Sequence, residues 1–184
     1  MTEPRYDVRV EREFDAPLER VWAAWTEPDD LRRWWGPAGF TCPRAVADVR
    51  AGGRIFVTMR APDEWGGMEQ HSTWDLVEVE PPRHLTYVFR FADADGNAIT
   101  PLEAGIPADG VPEQGEHEVV LSPLAGGRTR LEMTERGYST AEARDMSQAG
   151  LEQCLDKMAA LVVADPSPRF RSTEAEQPTP EARS

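Results

Sequence analysis

Two short stretches near the start of the chain carry hydrophobic residues at helical spacing. The apolar positions are Leu18, Val21, Trp22 and Trp25 in the first stretch, and Leu31, Trp34 and Trp35 in the second. Residues spaced by three or four positions lie on one face of an α-helix, so the pattern predicts two consecutive amphipathic helices. Gly36 and Pro37 end the second helix, because glycine accepts the left-handed stop conformation and proline cannot continue a helix.

Alternation of apolar and polar residues predicts strands on both sides of these helices. The predicted strands cover residues 8–14, 54–60, 70–80, 85–91, 117–121 and 131–135. The run from Leu85 to Phe91 has the clearest alternating face, with an apolar residue at every second position. Gly52-Gly53, Pro81-Pro82-Arg83 and Gly126-Gly127 mark tight turns between strands.

A long helix is predicted at the end of the folded region, from about Ser139 to Val163. It opens on a capping box, Ser139 to Glu142. Its apolar stripe consists of Met146, Gly150, Leu151, Cys154, Leu155, Met158 and Val162. One domain is therefore expected over residues 1–163, followed by a disordered tail over 164–184 that lacks any apolar period.

The segment 92–115 differs from its surroundings, because it is rich in turn-forming residues, weakly apolar and acidic. We interpret it as a long loop insertion, either a lid or simply disordered. The order strand, two helices, several strands and one long helix predicts an α+β fold. A curved antiparallel sheet around the C-terminal helix would bury the helix stripe and one face of each strand together.

Composition narrows the function classes. The net charge of −13 argues against nucleic acid and anionic membrane surfaces as partners, since both require a basic footprint. No apolar run is long enough for membrane insertion, and the polar start lacks a signal peptide. Cys42 and Cys154 are expected to be reduced thiols in a cytoplasmic protein.

No motif for a metal or a cofactor is present, and we expect neither. The chain has no Walker loop, no G-x-S-x-G and no H-E-x-x-H sequence. Asp93, Asp95 and Asn97 imitate the start of a calcium loop, but Ala98 and Ala104 occupy the required glycine and glutamate positions.

A set of ordered motifs resembles a known family. The motifs are Phe14-Asp15-Ala16-Pro17, Val21-Trp22-Ala23-Ala24-Trp25-Thr26, Leu31-Arg32-Arg33-Trp34-Trp35-Gly36-Pro37, Gly52-Gly53-Arg54 and Glu80-Pro81-Pro82-Arg83-His84-Leu85. In this order they resemble the bacterial branch of the activator-of-heat-shock-protein-ATPase family, in the START-like (SRPBCC) superfamily. The resemblance implies a helix-grip fold with a cavity between the sheet and the C-terminal helix. It says little about chemistry, because fold does not fix function.

Candidate site residues fall into an apolar wall and a polar cluster. The wall is predicted from Trp34, Trp35, Met59, Phe89, Met133, Met146, Gly150, Cys154 and Met158, with Trp74 added although its parity is outward unless a bulge intervenes. A hairpin closed at Gly126-Gly127 pairs His117 with Glu135 on the inward face. His71 also has inward parity, so His71, His117 and Glu135 could meet at one end of the cavity. The alternatives are a filled core and strand ends that face water.

Three functions follow from these features. The leading hypothesis is a protein that binds a small hydrophobic or amphipathic molecule in the cavity without catalysis. The second is an enzyme of the cyclase or dehydratase kind, with His71, His117 or Glu135 as acid or base. The third is a chaperone-interaction module, as the family name implies. The sequence leaves a homodimer open.

Overall fold

Seven strands and three α-helices make up the part of the chain that the computed structural model describes, residues 5–106 and 109–167. The elements are β1 (Tyr6–Phe14), α1 (Leu18–Thr26), α2 (Pro28–Trp34), β2 (Thr41–Ala47), β3 (Arg54–Arg60), a 3-10 turn (Asp63–Trp65), β4 (Glu69–Glu80), β5 (His84–Ala92), β6 (Gln114–Leu124), β7 (Arg128–Tyr138) and α3 (Ala141–Ala164). The strands form one antiparallel sheet in the order β1-β7-β6-β5-β4-β3-β2.

The α+β helix-grip architecture is confirmed. The sheet curves around α3, which packs on β1, β7 and α2, while α1 and α2 follow the first strand as predicted. One contiguous core fills the space between the helices and the inner face of the sheet. None of the helices in the described ranges combines the length and apolar composition needed to cross a bilayer.

A buried ion pair joins the two short helices. Arg20 of α1 and Asp30 of α2 are 1% and 2% exposed. The guanidinium donates to both Asp30 oxygens, at 2.6 and 3.3 Å, and its Nε donates to the Asp165 carbonyl at 2.5 Å. This one side chain therefore connects α1, α2 and the C-terminal end of α3.

Hairpin registers agree with the sequence prediction where the turn fixes them. Leu121 pairs with Leu131, and His117 pairs with Glu135, as the Gly126-Gly127 turn requires. Val79 likewise pairs with Leu85 across the turn before β5.

A bulge in β4 reverses the predicted facing of its first half. The register shifts between Leu76 and Glu78, so Val77 is an extra residue with its side chain 55% exposed. An extra residue switches the parity of everything before it. The prediction that His71 points inward is therefore wrong, and Trp74, whose outward parity depended on the absence of a bulge, is fully buried in the core.

A second bulge lies in β7. Val8 pairs with Glu135 but Tyr6 pairs with Tyr138, so β7 holds one more residue than β1 over this interval. Gly137 takes φ of +113° there, a value that L side chains rarely adopt. The bulge turns Tyr138 onto the same inner face as Glu135.

Strand β2 was not predicted from the sequence. Pro43 interrupts the alternation, but β2 lies at the edge of the sheet, where a residue without a backbone N–H is tolerated. The other edge is β1.

Three predicted boundaries need correction. The loop insertion is shorter than 92–115, because β5 runs to Ala92 and β6 starts at Gln114. Thr140, and not Ser139, caps α3, with its hydroxyl accepting from the Ala143 N–H at 3.2 Å. The fold also extends past 163: α3 ends at Ala164, and Asp165 contacts Arg20. Residues 107–108 and the predicted tail from 168 onward lie outside the described residues.

Candidate functional site

Glu135 is the centre of a buried polar cluster between the sheet and α3. Its side chain is inward on β7, and the residue is 5% exposed. Glu135 Oε2 lies 2.8 Å from the Tyr138 hydroxyl and 2.9 Å from the Ser147 hydroxyl, which are themselves 2.7 Å apart. Two hydroxyl groups thus converge on one carboxylate oxygen, one from the bulge of β7 and one from α3.

His117 and Tyr87 extend this cluster across the neighbouring strands. His117 Nδ1 lies 3.8 Å from Glu135 Oε1 and 3.4 Å from the Tyr87 hydroxyl. The Phe89 ring stacks on the imidazole, with 5.2 Å between centroids and an interplanar angle of 3°. The polar cluster therefore consists of Tyr87, His117, Glu135, Tyr138 and Ser147, contributed by β5, β6, β7 and α3.

Burial and the single carboxylate set the protonation of this cluster. Burial lowers the pKa of His117, although the Glu135 charge opposes that shift. Burial, together with the charges of Glu135 and Tyr138, raises the pKa of Tyr87 well above its ordinary value. Burial and the Glu135 charge also raise the pKa of Tyr138. At neutral pH the imidazole and both phenols are therefore uncharged hydrogen-bonding groups.

Four tryptophans form the wall beside the polar cluster. Trp25, Trp34, Trp35 and Trp74 contact one another in a closed cycle, with centroid distances of 5.0, 5.5, 4.7 and 6.0 Å. Tyr87 stacks on Trp74 at 5.0 Å, which joins the tryptophan wall to the polar cluster. The wall forms because Trp25 of α1 and Trp35, directly after α2, contact Trp74 of β4, which the bulge has turned inward.

Among the described residues, three of the four indole N–H groups in the tryptophan wall have no acceptor. Trp34 Nε1 donates to the Ala24 carbonyl at 2.7 Å. The indole nitrogens of Trp25, Trp35 and Trp74 are buried and have no hydrogen-bond partner within the described residues. A buried donor left unpaired costs about 1–3 kcal/mol, so three such donors beside one another are unusual for a structure that only needs to be stable.

The other residues predicted for the apolar wall fall into three groups: buried in the core, half-buried at its border, and exposed to solvent. Met133, Cys154 and Met158 belong to the packed core. Trp35, Met59, Phe89 and Gly150 are half-buried, so they lie at the border of the packed core. Met146 is 48% exposed, so its place in the apolar wall is wrong: it lies at the solvent edge of the α3 stripe.

Gly150 leaves open space beside α3. A Cβ atom at this position would meet nothing within 4 Å. Gly150 lies three residues after Ser147 and four before Cys154, which places it on the same face of α3 as these two inward residues. A side chain could therefore be added at this position without a clash.

His71 lies on the opposite, outer face of the sheet. Its Nδ1 lies 2.8 Å from the Thr58 hydroxyl, and its ring stacks on Phe56 at 5.7 Å. It borders a shallow recess of about 240 Å³ under the β5–β6 loop, and a second recess of about 460 Å³ lies next to Arg90. Neither recess reaches the polar cluster, so the predicted meeting of His71 with His117 and Glu135 does not occur.

Sequence reasoning missed Tyr87, Tyr138 and Ser147 as members of the site. Tyr87 was recognisable, because it lies on the clearest alternating face and pairs with His117. The bulge at Gly137 gives Tyr138 the inward facing that regular alternation from Glu135 does not predict. Ser147 lies on α3, a different element, and as a polar residue it is not part of the apolar stripe of that helix. Over residues 5–106 and 109–167, no three His, Cys, Asp or Glu side chains are grouped so that they could hold a metal ion.

The sequence and the fold both match known proteins. Residues 15–163 match the family model of the Activator of Hsp90 ATPase homolog 1-like protein. Protein CV1439 from Chromobacterium violaceum is 27% identical with a TM-score of 0.68, over 85% of this chain and 96% of that one. A protein from Arthrobacter aurescens is 26% identical with a TM-score of 0.67, over 93% of both chains.

A third solved structure supports the fold alone, because its identity is lower. It is the AHSA1 protein SPO3351 from Silicibacter pomeroyi, 23% identical with a TM-score of 0.68, over 87% of this chain and 99% of that one. Among curated proteins, no significant match is found. The ordered motifs, the helix-grip topology and the family match over most of the chain agree, and they are consistent with the START-like superfamily: this chain belongs to the Activator of Hsp90 ATPase homolog 1-like family.

Proposed function

We propose that this protein binds a small hydrophobic or amphipathic molecule in the crevice between the sheet and α3. The molecule would rest on the tryptophan wall and direct its polar group toward the polar cluster. Sites of this kind are largely apolar and hold a few convergent polar groups that fix the orientation of the ligand.

The observation that carries the proposal is the set of unpaired indole donors at Trp25, Trp35 and Trp74. Each would gain a hydrogen bond from a ligand that carries an acceptor oxygen, and the rest of the surface offers apolar contact. Half-burial of Trp35 and Phe89 supports access to this region from solvent. A core selected for stability alone would pair these donors or replace them.

Native mass spectrometry of freshly purified protein tests the proposal directly, since a co-purified molecule adds its mass to the folded chain. A titration with the uncharged, environment-sensitive dye Nile red extends the test to a single residue. We expect Trp35→Leu to weaken dye binding several-fold. The matched control is Trp65→Leu, which changes an indole that is 63% exposed on the 3-10 turn. Equal effects of both variants would contradict the proposal.

A second candidate is an enzyme that uses the same crevice. The specific observation is the 3.8 Å approach of His117 Nδ1 to Glu135 Oε1, in a setting where the imidazole is neutral. Such a pair can accept and return a proton. With a substrate in hand, loss of turnover in His117→Gln with binding retained would favour this function. Weakened binding, with no turnover in either protein, would favour the carrier.

The remaining expectations stay predictions. The family description motivates a chaperone interaction, which a pull-down with the Hsp90 homologue of the source organism would test. Both cysteines are free and buried, in keeping with the cytoplasmic location predicted from the sequence. Analytical ultracentrifugation would decide between a monomer and the homodimer.

A further inference from the structure

Glu135 is a buried carboxylate without a cationic partner. Its Oε2 accepts from the Tyr138 and Ser147 hydroxyls, whereas its Oε1 has no hydrogen-bond donor in the described ranges. His117 Nδ1 lies 3.8 Å from Oε1. Because burial lowers the pKa of His117, the imidazole is neutral at pH 7, and no Lys or Arg side chain of residues 5–106 and 109–167 forms an ion pair with Glu135.

The permanently charged residues nearby are engaged elsewhere. Arg136 follows Glu135 on β7 but points to the outer face, where it donates to Glu118 at 2.7 Å. Arg144, near the start of α3, lies 2.6 Å from Asp145. Lys157, lower on α3, donates to the Gly36 and Phe40 carbonyls at 2.9 and 3.0 Å. None of these three forms an ion pair with Glu135.

A buried charge without a partner is costly, and two hydroxyl hydrogen bonds offset only part of that cost. A cation placed at Oε1 would complete the pair. Aromatic side chains contact His117, the neighbour of Oε1: Phe89 stacks on its ring, and Tyr87 lies 5.1 Å from it and stacks on Trp74. Aromatic faces attract cations through the ring quadrupole and also bury an apolar ligand body.

We propose that the ligand of this crevice carries a protonated amine, bound at Glu135 Oε1, on an apolar body that rests on the tryptophan wall and presents an acceptor oxygen to its indole N–H groups. This inference rests on the proposed function and specifies its ligand class. It assigns Glu135 the role of specificity-determining residue, with no covalent or redox step.

Three naphthalene probes of similar size and different charge test the inference: 2-(1-naphthyl)ethylamine, 2-(1-naphthyl)ethanol and 1-naphthylacetic acid. Binding is measured by isothermal titration calorimetry on the full chain. We expect the amine to bind at least about tenfold more tightly than the alcohol, since a hydrogen bond to a charged group contributes that much or more, and the acid to bind most weakly.

Glu135→Gln identifies the group responsible. This variant should reduce the affinity of the amine to that of the alcohol, so that the tenfold preference is lost. Glu132→Gln is the matched control, because Glu132 is an exposed residue of the same strand and its loss changes the net charge of −13 by the same amount. The control should keep the tenfold preference, which separates the site from general attraction of cations by an acidic protein.

The outcomes distinguish the two proposals. Equal affinities of amine and alcohol for the unaltered protein would overturn the amine inference and leave the proposed function standing. Failure of all three probes to bind would contradict both. The preference of the unaltered protein decides the inference even if Glu135→Gln does not fold, and a melting curve of each variant shows whether it does.

Discussion

Replacing Arg20 by methionine should destabilise the protein strongly. The Arg20 side chain is 1% exposed and holds both oxygens of Asp30, which is itself 2% exposed. Methionine fills similar volume but leaves the Asp30 carboxylate buried without a partner. Breaking a buried pair in this way costs about 3–5 kcal/mol. For a domain of this size each kcal/mol shifts the melting temperature by about 2–4 °C, so we expect a fall of roughly 6–20 °C.

The double variant Arg20→Met/Asp30→Leu separates the charge effect from packing. Removing both partners of a buried pair is often neutral or stabilising, because neither charge must then be desolvated. We expect it to recover most of the stability lost by the single variant, apart from the bond to the Asp165 carbonyl. Circular dichroism during heating and urea unfolding measure all the variants. A single variant within about 1 kcal/mol of the unaltered protein, or a double variant no better than the single, would refute this reasoning.

Three further outcomes are expected. Gly150→Ala should raise the free energy of unfolding by up to about 1 kcal/mol in urea, since helix propensity improves and the added atom meets open space. Gly150→Phe should fold but weaken probe binding by filling the crevice. A large loss of stability in either variant would contradict an open space there. Because burial lowers the pKa of His117, the unfolded chain takes up a proton before the folded protein does as the pH falls through about 6.5. The free energy of unfolding should therefore decrease below that pH, and it should decrease less in His117→Gln. Urea unfolding at pH 7.5 and 5.5 measures this, and an equal loss of unfolding free energy in both proteins would disprove it. Truncation after Ser167 should leave the melting temperature unchanged. Truncation after Val163 should lower it by at least about 2–4 °C, because this removes the Asp165 carbonyl to which Arg20 donates. Equal melting temperatures would support the domain end at residue 163 that the sequence predicted.

The sequence predicted strand registers where a short turn dictated them. The Gly126-Gly127 turn fixed the pairing of His117 with Glu135, and this pairing is the core of the polar cluster. The helices were equally accessible, because Trp22, Trp25 and Trp34 repeat at helical spacing and all three are buried.

The facing of side chains was harder to predict wherever a strand carried an extra residue. Val77 has the composition of any strand residue, so nothing in the sequence showed that it would bulge and exchange the faces of His71 and Trp74. Gly137 was a visible signal, because glycine inside a strand often marks a bulge, and it could have placed Tyr138 beside Glu135.

Periodicity also could not separate a crevice from a packed core. Met133 and Met146 both follow an inward period, yet the first is 1% exposed and the second 48%. The difference in their exposure depends on which part of α3 packs against the sheet, and the local sequence carries no signal for that packing.

The tryptophan wall also gives this protein an optical reporter of its own. Rings held 4.7 to 6.0 Å apart at fixed angles couple their electronic transitions, so the near-ultraviolet circular dichroism of the chain reads the arrangement of α1, α2 and β4 directly. Trp65 is the one tryptophan in the described chain with most of its surface in water, and it adds a solvent-like emission background. Trp65→Phe would remove that background and leave a fluorescence signal that comes from buried and half-buried indoles.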